Sequence, residues 1–552
     1  MSGVTSGTEA MAVRSQPNIV LIMTDQQRAD FFKAEGFPFD TMPFVDALAT
    51  GGARFHRAYC PMPACAPSRA SLLTGRYPKA TRVRQNSASG NLSAPTDLVR
   101  LLRERGYAIH LAGKNHSFLR PDDFDTASLY WHTGAEGGSP SEAERRMDAW
   151  LHDLDHGVHP TPTPFPVGCQ PAARIVRDAI ARVDGRDERP FFLWLSFPEP
   201  HNPYQAPEPY FSMFPEEAFP ERIAGPEAAL AKGGAWKWLR QTIERKRPTY
   251  DGRWRRYRAN YCGMLRLIDD QIRRFVGHLE ARGLRENTLL VFLADHGDYA
   301  GDYGLQRKGA GRPECLMRVP LVFNGPGVVP GASFREEFVS LVDVMPTLCE
   351  MLGVEAPYGV QGRSLWPLLS GQAYPAAEFR SVYAESGFGG LPYAEGDDPP
   401  LHFDKDGPSF DELNAFTQGG NTKMVRKGRW KLLYDVLGRG ELYDLERDPA
   451  ELDNRFGDPS LAAVRLELVE ELLTWTIRTE DDLPSARYVP KRAERNWHAP
   501  YWDAADPLLR PEVSHGVPTF GAAGRSQAKP SRPSRAEVPG VVPLGLPVRA
   551  RN

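Results

Sequence analysis

Cysteine is scarce in this chain, which has six in 552 residues. Their positions are Cys60, Cys65, Cys169, Cys262, Cys315 and Cys349. Disulfide-built secreted scaffolds have a much higher density, so we expect no disulfide framework. Cys60 and Cys65 form a C-x4-C pair, but no second pair with suitable spacing follows. A structural zinc site is therefore not indicated.

The chain also lacks long apolar runs and an excess of basic charge. Its longest apolar runs, Ile19–Met23 and Leu289–Ala294, are too short to cross a bilayer, and residues 1–16 lack the apolar core of a signal peptide. The 67 basic and 70 acidic residues give a net charge of −3, which offers little to a nucleic acid or an anionic membrane. We therefore expect a cytoplasmic protein with no nucleic-acid or membrane partner.

Short apolar segments alternate with helical patterns along most of the chain. Four segments have the composition of strands buried on both faces of a sheet; they span residues 18–24, 191–197, 289–294 and 319–323. In Tyr257–Leu279, apolar residues recur every three or four positions, which is typical of a helix. This alternation predicts an α/β fold with a large, mainly parallel central sheet flanked by helices.

Three of the four predicted strands lead into side chains that can carry out chemistry. Asp25 ends the first strand, His201 follows the second, and Asp295 and His296 follow the third. Ligands of parallel sheets collect at the carboxyl ends of the strands. We expect these side chains to lie near one another at that edge.

The composition changes after about residue 400, which predicts several regions. We expect residues 1–16 to form a disordered N-terminus and residues 17–400 to form the main, catalytic domain. Residues 401–502 predict a smaller α+β C-terminal subdomain with a small antiparallel sheet and a helix near Leu461–Ile477. Residues 503–552 form a tail rich in proline and arginine, which we expect to be irregular. We hypothesise that this tail is an oligomer arm and the protein a homo-oligomer.

The most informative segment is Cys65–Arg76, CAPSRASLLTGR. Pro67 biases Ala66 toward an extended conformation, and Ser68–Thr74 can form a helix. Cys65 would then lie just before a helix N-terminus, where free N–H groups and the helix dipole attract an anion. On these residues alone, a cysteine at an anion-binding helix start and a buried inert cysteine are about equally favoured.

The same segment resembles the signature of the sulfatase family, in the alkaline-phosphatase superfamily. Cys65, Pro67 and Arg69 match the C-x-P-x-R pattern that a separate formylglycine-generating enzyme reads when it oxidises the cysteine. Gly106–His116 is similar to the second family signature, and Lys308 follows Asp295-His296 as the family's substrate lysine does. The resemblance covers residues 17–455 and implies an alkaline-phosphatase-like fold, formylglycine at position 65 and the modifying enzyme as a maturation partner.

The resemblance also implies a role for each site residue. The expected ligands of one divalent metal ion are Asp25, Gln26, Cys65, Asp295 and His296. The expected catalytic residues are Cys65, Arg69, Lys114, His116, His201 and Lys308. The expected substrate contacts are Asn86, His201 and Lys308. Ca²⁺ is the favoured ion, and Mn²⁺ and Mg²⁺ are alternatives. Ligation by the nitrogen of His296 would favour a softer ion such as Mn²⁺ over Ca²⁺.

The mechanism that the resemblance implies is a covalent double displacement. Formylglycine hydrates to a metal-bound geminal diol, one hydroxyl attacks sulfur or phosphorus, and the second then expels the anion as the aldehyde re-forms. The leading prediction is a sulfatase that hydrolyses a sulfuric ester of a small molecule or saccharide.

One departure from the family pattern keeps a second activity open. Asp25-Gln26 stands where the family's sulfate hydrolases commonly have two adjacent acids. Together with Asp295-His296, this pair resembles the phosphonate monoester hydrolase and choline-sulfatase-like branches. Hydrolysis of phosphonate monoesters or phosphodiesters is therefore the alternative. A non-catalytic binding protein with an unmodified Cys65 is the less favoured one.

Overall fold

The structure is a computed structural model that describes residues 16–480, except positions 95, 156, 247 and 388–420. The predictions for the N-terminus, apart from Gln16, and for the tail at 503–552 lie outside the described residues. Within the described ranges, no helix combines the length and the apolar composition that crossing a membrane requires.

A nine-stranded mixed sheet forms the centre of the main domain. Its strands are β1 (Asn18–Asp25), β2 (Ala53–Tyr59), β3 (Ala108–Gly113), β4 (Thr126–Trp131), β5 (Gly134–Ala135), β6 (Phe191–Pro200), β7 (Thr288–Ala294), β8 (Leu321–Asn324) and β9 (Ala332–Ser340). Their order across the sheet is β5-β4-β3-β6-β1-β7-β8-β2-β9. The neighbouring pairs β4–β3, β3–β6, β6–β1, β1–β7 and β2–β9 are parallel. Only β5 and β8 run against their neighbours, so the predicted mainly parallel sheet is confirmed.

Helices cover both faces of this sheet. In chain order the helices of the whole described chain are α1 (Pro43–Thr50), α2 (Cys65–Thr74), α3 (Pro78–Thr81), α4 (Leu98–Glu104), α5 (Glu142–Leu154), α6 (Pro171–Asp184), α7 (Pro226–Lys232), α8 (Gly234–Lys246), α9 (Trp254–Ala281), α10 (Glu314–Met317), α11 (Val344–Met351), α12 (Trp366–Leu369) and α13 (Ala462–Glu480). One hydrophobic core includes residues of α1, α6 and α9, and the core on the other face includes residues of α2, α4 and α11.

The central strand β1 shows why an unbroken apolar run is needed here. Val20 and Ile22 belong to the core under α6 and α9, while Ile19 and Leu21 belong to the core on the other face. Successive strand residues point to opposite faces, so a strand covered on both sides cannot alternate apolar with polar residues. Complete burial of a side chain of this size stabilises the folded state by about 1.5–3 kcal/mol. The strand end at Asp25 is therefore held in a fixed place.

A second, four-stranded antiparallel sheet confirms the smaller α+β subdomain. Its strands, in spatial order, are β10 (Ser381–Ser386), β11 (Thr422–Lys427), β12 (Trp430–Asp435) and β13 (Gly440–Asp444). Helix α13 packs on it through Leu468, Leu472 and Trp475. The sheet takes in β10 from before residue 400, and the predicted domain boundaries themselves stay predictions.

Candidate active site

Cys65 is the first residue of helix α2, which begins three positions before the predicted Ser68, so the expectation that Ala66 is extended is wrong. Pro67 is tolerated there because the first turn of a helix leaves its N–H groups without intrahelical partners. Ala64 is the extended residue that precedes the helix. The backbone N–H of Ala66 donates to Asn86 Oδ1 at 3.1 Å, and Ser68 Oγ donates to the carbonyl oxygen of Asp295 at 2.6 Å. The helix start is therefore tied directly to the segment that follows β7, and the buried Cys65 side chain is held beside it.

Four potential metal ligands from three segments meet at this helix start. Asp25, Cys65, Asp295 and His296 are all buried and offer ligand atoms within 4.8 Å of one another. Strand register explains the meeting of the two acids, because β1 and β7 are parallel neighbours with Thr24 opposite Ala294. The predicted convergence of polar groups at the carboxyl ends of the strands is what the structure contains.

This donor set fits a divalent cation. Two carboxylates supply hard oxygen ligands, and an imidazole adds a nitrogen that suits softer ions. The Nδ1 atom of His296 bonds to the carbonyl oxygen of Gly297 at 2.9 Å, which turns Nε2 toward the centre. That Nε2 atom lies 3.3 Å from Cys65 Sγ and 3.9 Å from Asp25 Oδ1.

Arg69 holds the two acids together from one turn along α2. It is fully buried, its Nε donates to Asp295 Oδ2 at 2.9 Å, and its Nη2 donates to Asp25 Oδ2 at 3.1 Å. Its Nη1 donates to the carbonyl oxygen of Lys114 at 2.8 Å. Burial raises the pKa of Asp25, but the charges of Lys114, His201 and Arg69 outweigh it and hold that pKa well below its usual range.

Lys114 directly follows β3, at a point where the chain passes very close to β6. Gly113 has φ +121°, and a Cβ there would lie 1.8 Å from the carbonyl oxygen of Ser196, so only glycine fits. The Nζ of Lys114 donates to Asp25 Oδ2 and to His132 Nε2, the latter at 2.9 Å. Lys114 therefore stands beside the metal-ligand cluster as a buried cation.

Lys308 supplies a second buried cation. Its Nζ donates to Cys65 Sγ at 3.4 Å and to Gln26 Oε1 at 3.2 Å. Burial and the charge of Asp25 raise the pKa of the Cys65 thiol. The charges of Lys114, Lys308 and His296 outweigh them and lower that pKa to about 6. The site therefore stabilises negative charge at residue 65.

Three imidazoles line the side of the site next to Lys114. His132 stacks on His201 with ring centroids 3.7 Å apart, and His116 packs edge to face on Trp131 at 4.8 Å. The Nδ1 atoms of His116 and His132 are buried and have no hydrogen-bond partner within the described part of the chain. Burial, with the nearby Lys114 charge, lowers the pKa of His116 well below its usual range, so this ring is neutral near pH 7.

Gln26 and Asn86 have different hydrogen-bond partners in the site. Gln26 directs its Oε1 to Lys308, next to Cys65. Asn86 accepts the N–H of Ala66 at the start of α2, so its predicted substrate contact stays a prediction.

Behind Gln26 lie three buried groups that no sequence pattern singled out, namely Tyr204, Tyr257 and Asp298. Asp298 comes three positions after Asp295, and this closeness in the sequence is a signal that could have identified it.

Comparison with known proteins agrees with this geometry. Residues 17–354 match the Sulfatase family model. The chain is 30% identical to the multifunctional alkaline phosphatase superfamily protein PehA of Trinickia caryophylli, over 85% of this chain and 96% of that protein. It is 29% identical to an arylsulfatase of Clostridium perfringens, over 80% of this chain and 90% of the relative. The crystal structure of a phosphonate monoester hydrolase of Agrobacterium radiobacter matches with a TM-score of 0.66 and 26% identity, covering 84% and 96% of the two chains. The chain therefore belongs to the sulfatase family.

Proposed function

We propose that this protein is a sulfuric ester hydrolase acting on a sulfate ester of a small molecule or saccharide, with residue 65 as its nucleophile. The observation that carries the proposal is the position of Cys65. It opens a helix, contacts Lys308 and His296, and belongs to a buried group with two carboxylates. The residues that follow it also carry the pattern that a formylglycine-generating enzyme reads, and membership of the sulfatase family supports the same chemistry.

In the proposed reaction, residue 65 is oxidised to formylglycine, and its aldehyde hydrates to a geminal diol. One diol oxygen attacks the sulfur, the bond from sulfur to the ester oxygen breaks, and the alcohol leaves. The other hydroxyl then loses its proton, the C=O bond re-forms, and sulfate is expelled. The Cβ atom of Cys65 becomes the carbon that carries both diol oxygens, so Sγ marks the approximate place of one of these oxygens.

The surrounding cations and imidazoles have matching roles in this proposal. Arg69 and Lys114 stabilise negative charge on the diol, since both are buried and lie against Asp25. Lys308 binds the non-bridging oxygens of the ester, and His201 donates the proton that the leaving group needs. His116 is the base for the second hydroxyl, because its lowered pKa keeps it unprotonated near neutral pH.

We propose that one divalent metal ion is held by Asp25, Asp295, His296, the amide oxygen of Gln26 and residue 65. When bound, such an ion acts as a Lewis acid that polarises an oxygen of the substrate. The two carboxylates favour Ca²⁺, while the His296 nitrogen supports Mn²⁺, with Mg²⁺ as a further alternative.

Hydrolysis of phosphonate monoesters or phosphodiesters is the second candidate, and Gln26 is the observation that favours it. An amide there gives the site one negative charge fewer than two adjacent acids would. Such a site suits monoanionic groups, which include sulfate monoesters, phosphonate monoesters and phosphodiesters. The likeness to a phosphonate monoester hydrolase supports the same alternative.

The test uses protein co-expressed with the formylglycine-generating enzyme and Cys65→Ala as the background. The kcat/KM for 4-nitrophenyl sulfate and for 4-nitrophenyl phenylphosphonate is measured with Ca²⁺, Mg²⁺ and Mn²⁺. We expect a preference for the sulfate that disappears in Cys65→Ala. A phosphonate preference would favour the second candidate, and equal activity in Cys65→Ala would contradict both.

The cysteines support a reducing, cytoplasmic location, which is also part of the proposal. All six are buried and none forms a disulfide, although Cys60 and Cys65 are only five positions apart. Free thiols persist in compartments kept reduced by glutathione and thioredoxin.

A further inference from the structure

The side-chain amide of Gln26 has one orientation that satisfies all its neighbours. Its Nε2 donates to Asp298 Oδ2 at 2.7 Å and to the hydroxyl of Tyr204 at 3.2 Å. Its Oε1 accepts from Lys308 Nζ at 3.2 Å. An ammonium group can only donate and a carboxylate can only accept. A flipped amide would therefore set donor against donor at Lys308 and acceptor against acceptor at Asp298.

Asp298 is itself held in place on every side. Its Oδ1 accepts from the Tyr257 hydroxyl at 2.5 Å and from the N–H of Ala300 at 2.7 Å. Its Oδ2 accepts from the Tyr204 hydroxyl at 3.1 Å as well as from Gln26. The residue is fully buried, so these four donors replace the water that a carboxylate would otherwise bind.

The backbone of Gln26 is fixed by the same part of the fold. Gln26 has φ +69°, a left-handed conformation that is uncommon for a residue other than glycine. Its N–H donates to Asp295 Oδ1 at 3.0 Å, and its carbonyl oxygen accepts from the Tyr261 hydroxyl at 2.7 Å. Tyr257 and Tyr261 lie one turn apart on α9. One helix face therefore holds both Asp298 and the backbone of Gln26.

We infer that Asp298 is a positioning residue that keeps the amide oxygen of Gln26 turned toward the active centre. The negative charge that a second acid at position 26 would carry thus lies behind that position, on Asp298. Positions 26 and 298 form an amide–carboxylate pair, and an acid at both positions would place two carboxylates in contact without a cation between them. The inference rests on these contacts, and only its metal-binding readout rests on the proposed function.

A swap of the two groups tests this directly. Gln26→Glu, Asp298→Asn and the double variant are prepared as full-length, unmodified, metal-free protein, and the apparent Tm is measured at one scan rate. Each single variant lowers the Tm. In Gln26→Glu the introduced carboxylate faces Asp298, and in Asp298→Asn the introduced NH2 group must face another donor, either Gln26 Nε2 or the N–H of Ala300. The double variant restores the carboxylate–amide contact in reverse, so its Tm lies above that of both single variants.

Binding of Mn²⁺ alone, measured by titration calorimetry, gives the second readout. We expect Asp298→Asn to weaken Mn²⁺ binding by about 10- to 100-fold, the usual effect of removing a partner that orients a ligand. Asp269→Asn is the matched control, since Asp269 is a buried acid that accepts the N–H groups of Phe44 and Val45 at 2.9 Å. It should lower the Tm and leave Mn²⁺ affinity unchanged.

Two results would overturn the inference. One is a double variant whose loss of Tm equals the sum of the two single losses, and the other is unaltered Mn²⁺ affinity in Asp298→Asn. If Asp298→Asn does not fold, Tyr257→Phe replaces it, because it removes one donor to Asp298 and should still weaken Mn²⁺ binding several-fold. Neither assay uses an ester. An intact swap in an enzyme that hydrolyses no sulfate would therefore sink the proposed function and leave this inference standing.

Discussion

The sulfur of Cys65 lies 3.4 Å from Nζ of Lys308, although the two residues are 243 positions apart in the chain. Helix α2 presents the first, and the segment after β7 presents the second. Both side chains are buried, so water screens their interaction very little. Whatever anion forms at residue 65 therefore meets a fixed cation.

Cys65→Ser should trap the sulfate on the enzyme. Serine offers one hydroxyl for attack but no second hydroxyl to expel the anion, so the sulfate ester of residue 65 must wait for water. Turnover of 4-nitrophenyl sulfate should fall by about 1,000-fold or more. Intact-protein mass spectrometry after incubation with substrate should show one added sulfate group. Turnover at the rate of the oxidised enzyme would contradict the mechanism.

Arg69→Lys should destabilise the fold even in unmodified protein. Arg69 bonds to Asp25, Asp295 and the carbonyl oxygen of Lys114 through three different nitrogens, and lysine has only one. Leaving a buried carboxylate without its partner costs about 3–5 kcal/mol of unfolding free energy. Urea unfolding of the unmodified protein measures this loss and avoids the effect of Arg69 on oxidation of residue 65.

Arg100→Lys is the matched control for that experiment. Arg100 pairs with Glu104 on the surface of α4, where both side chains are about two-thirds exposed. Such a pair contributes at most about 0.5 kcal/mol. Equal losses in the two variants would show that the buried Arg69 network does not stabilise the fold as described.

Between pH 5 and pH 8, the Glu199→Gln variant should lose less stability than the unsubstituted protein does. Glu199 is buried, its Oε1 accepts the N–H of Ala172 at 3.1 Å, and burial raises the pKa of its carboxyl to about 7. Because the folded pKa is raised, its contribution to stability is full below the unfolded pKa of about 4.3 and is lost as pH rises through about 7.

The Tm of Glu199→Gln and of the unsubstituted protein at pH 5 and pH 8 checks this prediction. Glutamine is neutral at both values, so the variant should lose less Tm between them than the unsubstituted protein does. An equal decrease in the two proteins would mean that Glu199 ionises in the folded protein as it does in the unfolded chain.

The sequence predicted the centre of the site because the information there is local. Cys65 and Arg69 lie one helical turn apart, and Asp25 and Asp295 each follow an apolar run long enough to be recognised as a buried strand. Since β1 and β7 turned out to be parallel neighbours, the two strand ends had to meet. The two strand ends and the resemblance of a short motif to the sulfatase signature were therefore enough to predict this part.

The surroundings of Gln26 could not be predicted in the same way. Tyr257 shares its three- and four-residue spacing with the apolar face of α9, which gives no sign that its hydroxyl bonds to Asp298. Tyr204 reaches the same carboxylate from 94 positions away in the chain. The reversed direction of β8 was likewise not visible, because an apolar run of this kind looks the same in either direction.

The dependence of activity on the oxidation state of residue 65 tests the proposed nucleophile most directly. Preparations made with increasing levels of the formylglycine-generating enzyme are analysed by peptide mass spectrometry for the oxidised fraction at position 65 and assayed with 4-nitrophenyl sulfate. We predict that kcat per total enzyme rises in proportion to the oxidised fraction and extrapolates to zero when no residue 65 is oxidised. The same activity in protein whose residue 65 is wholly cysteine would contradict it.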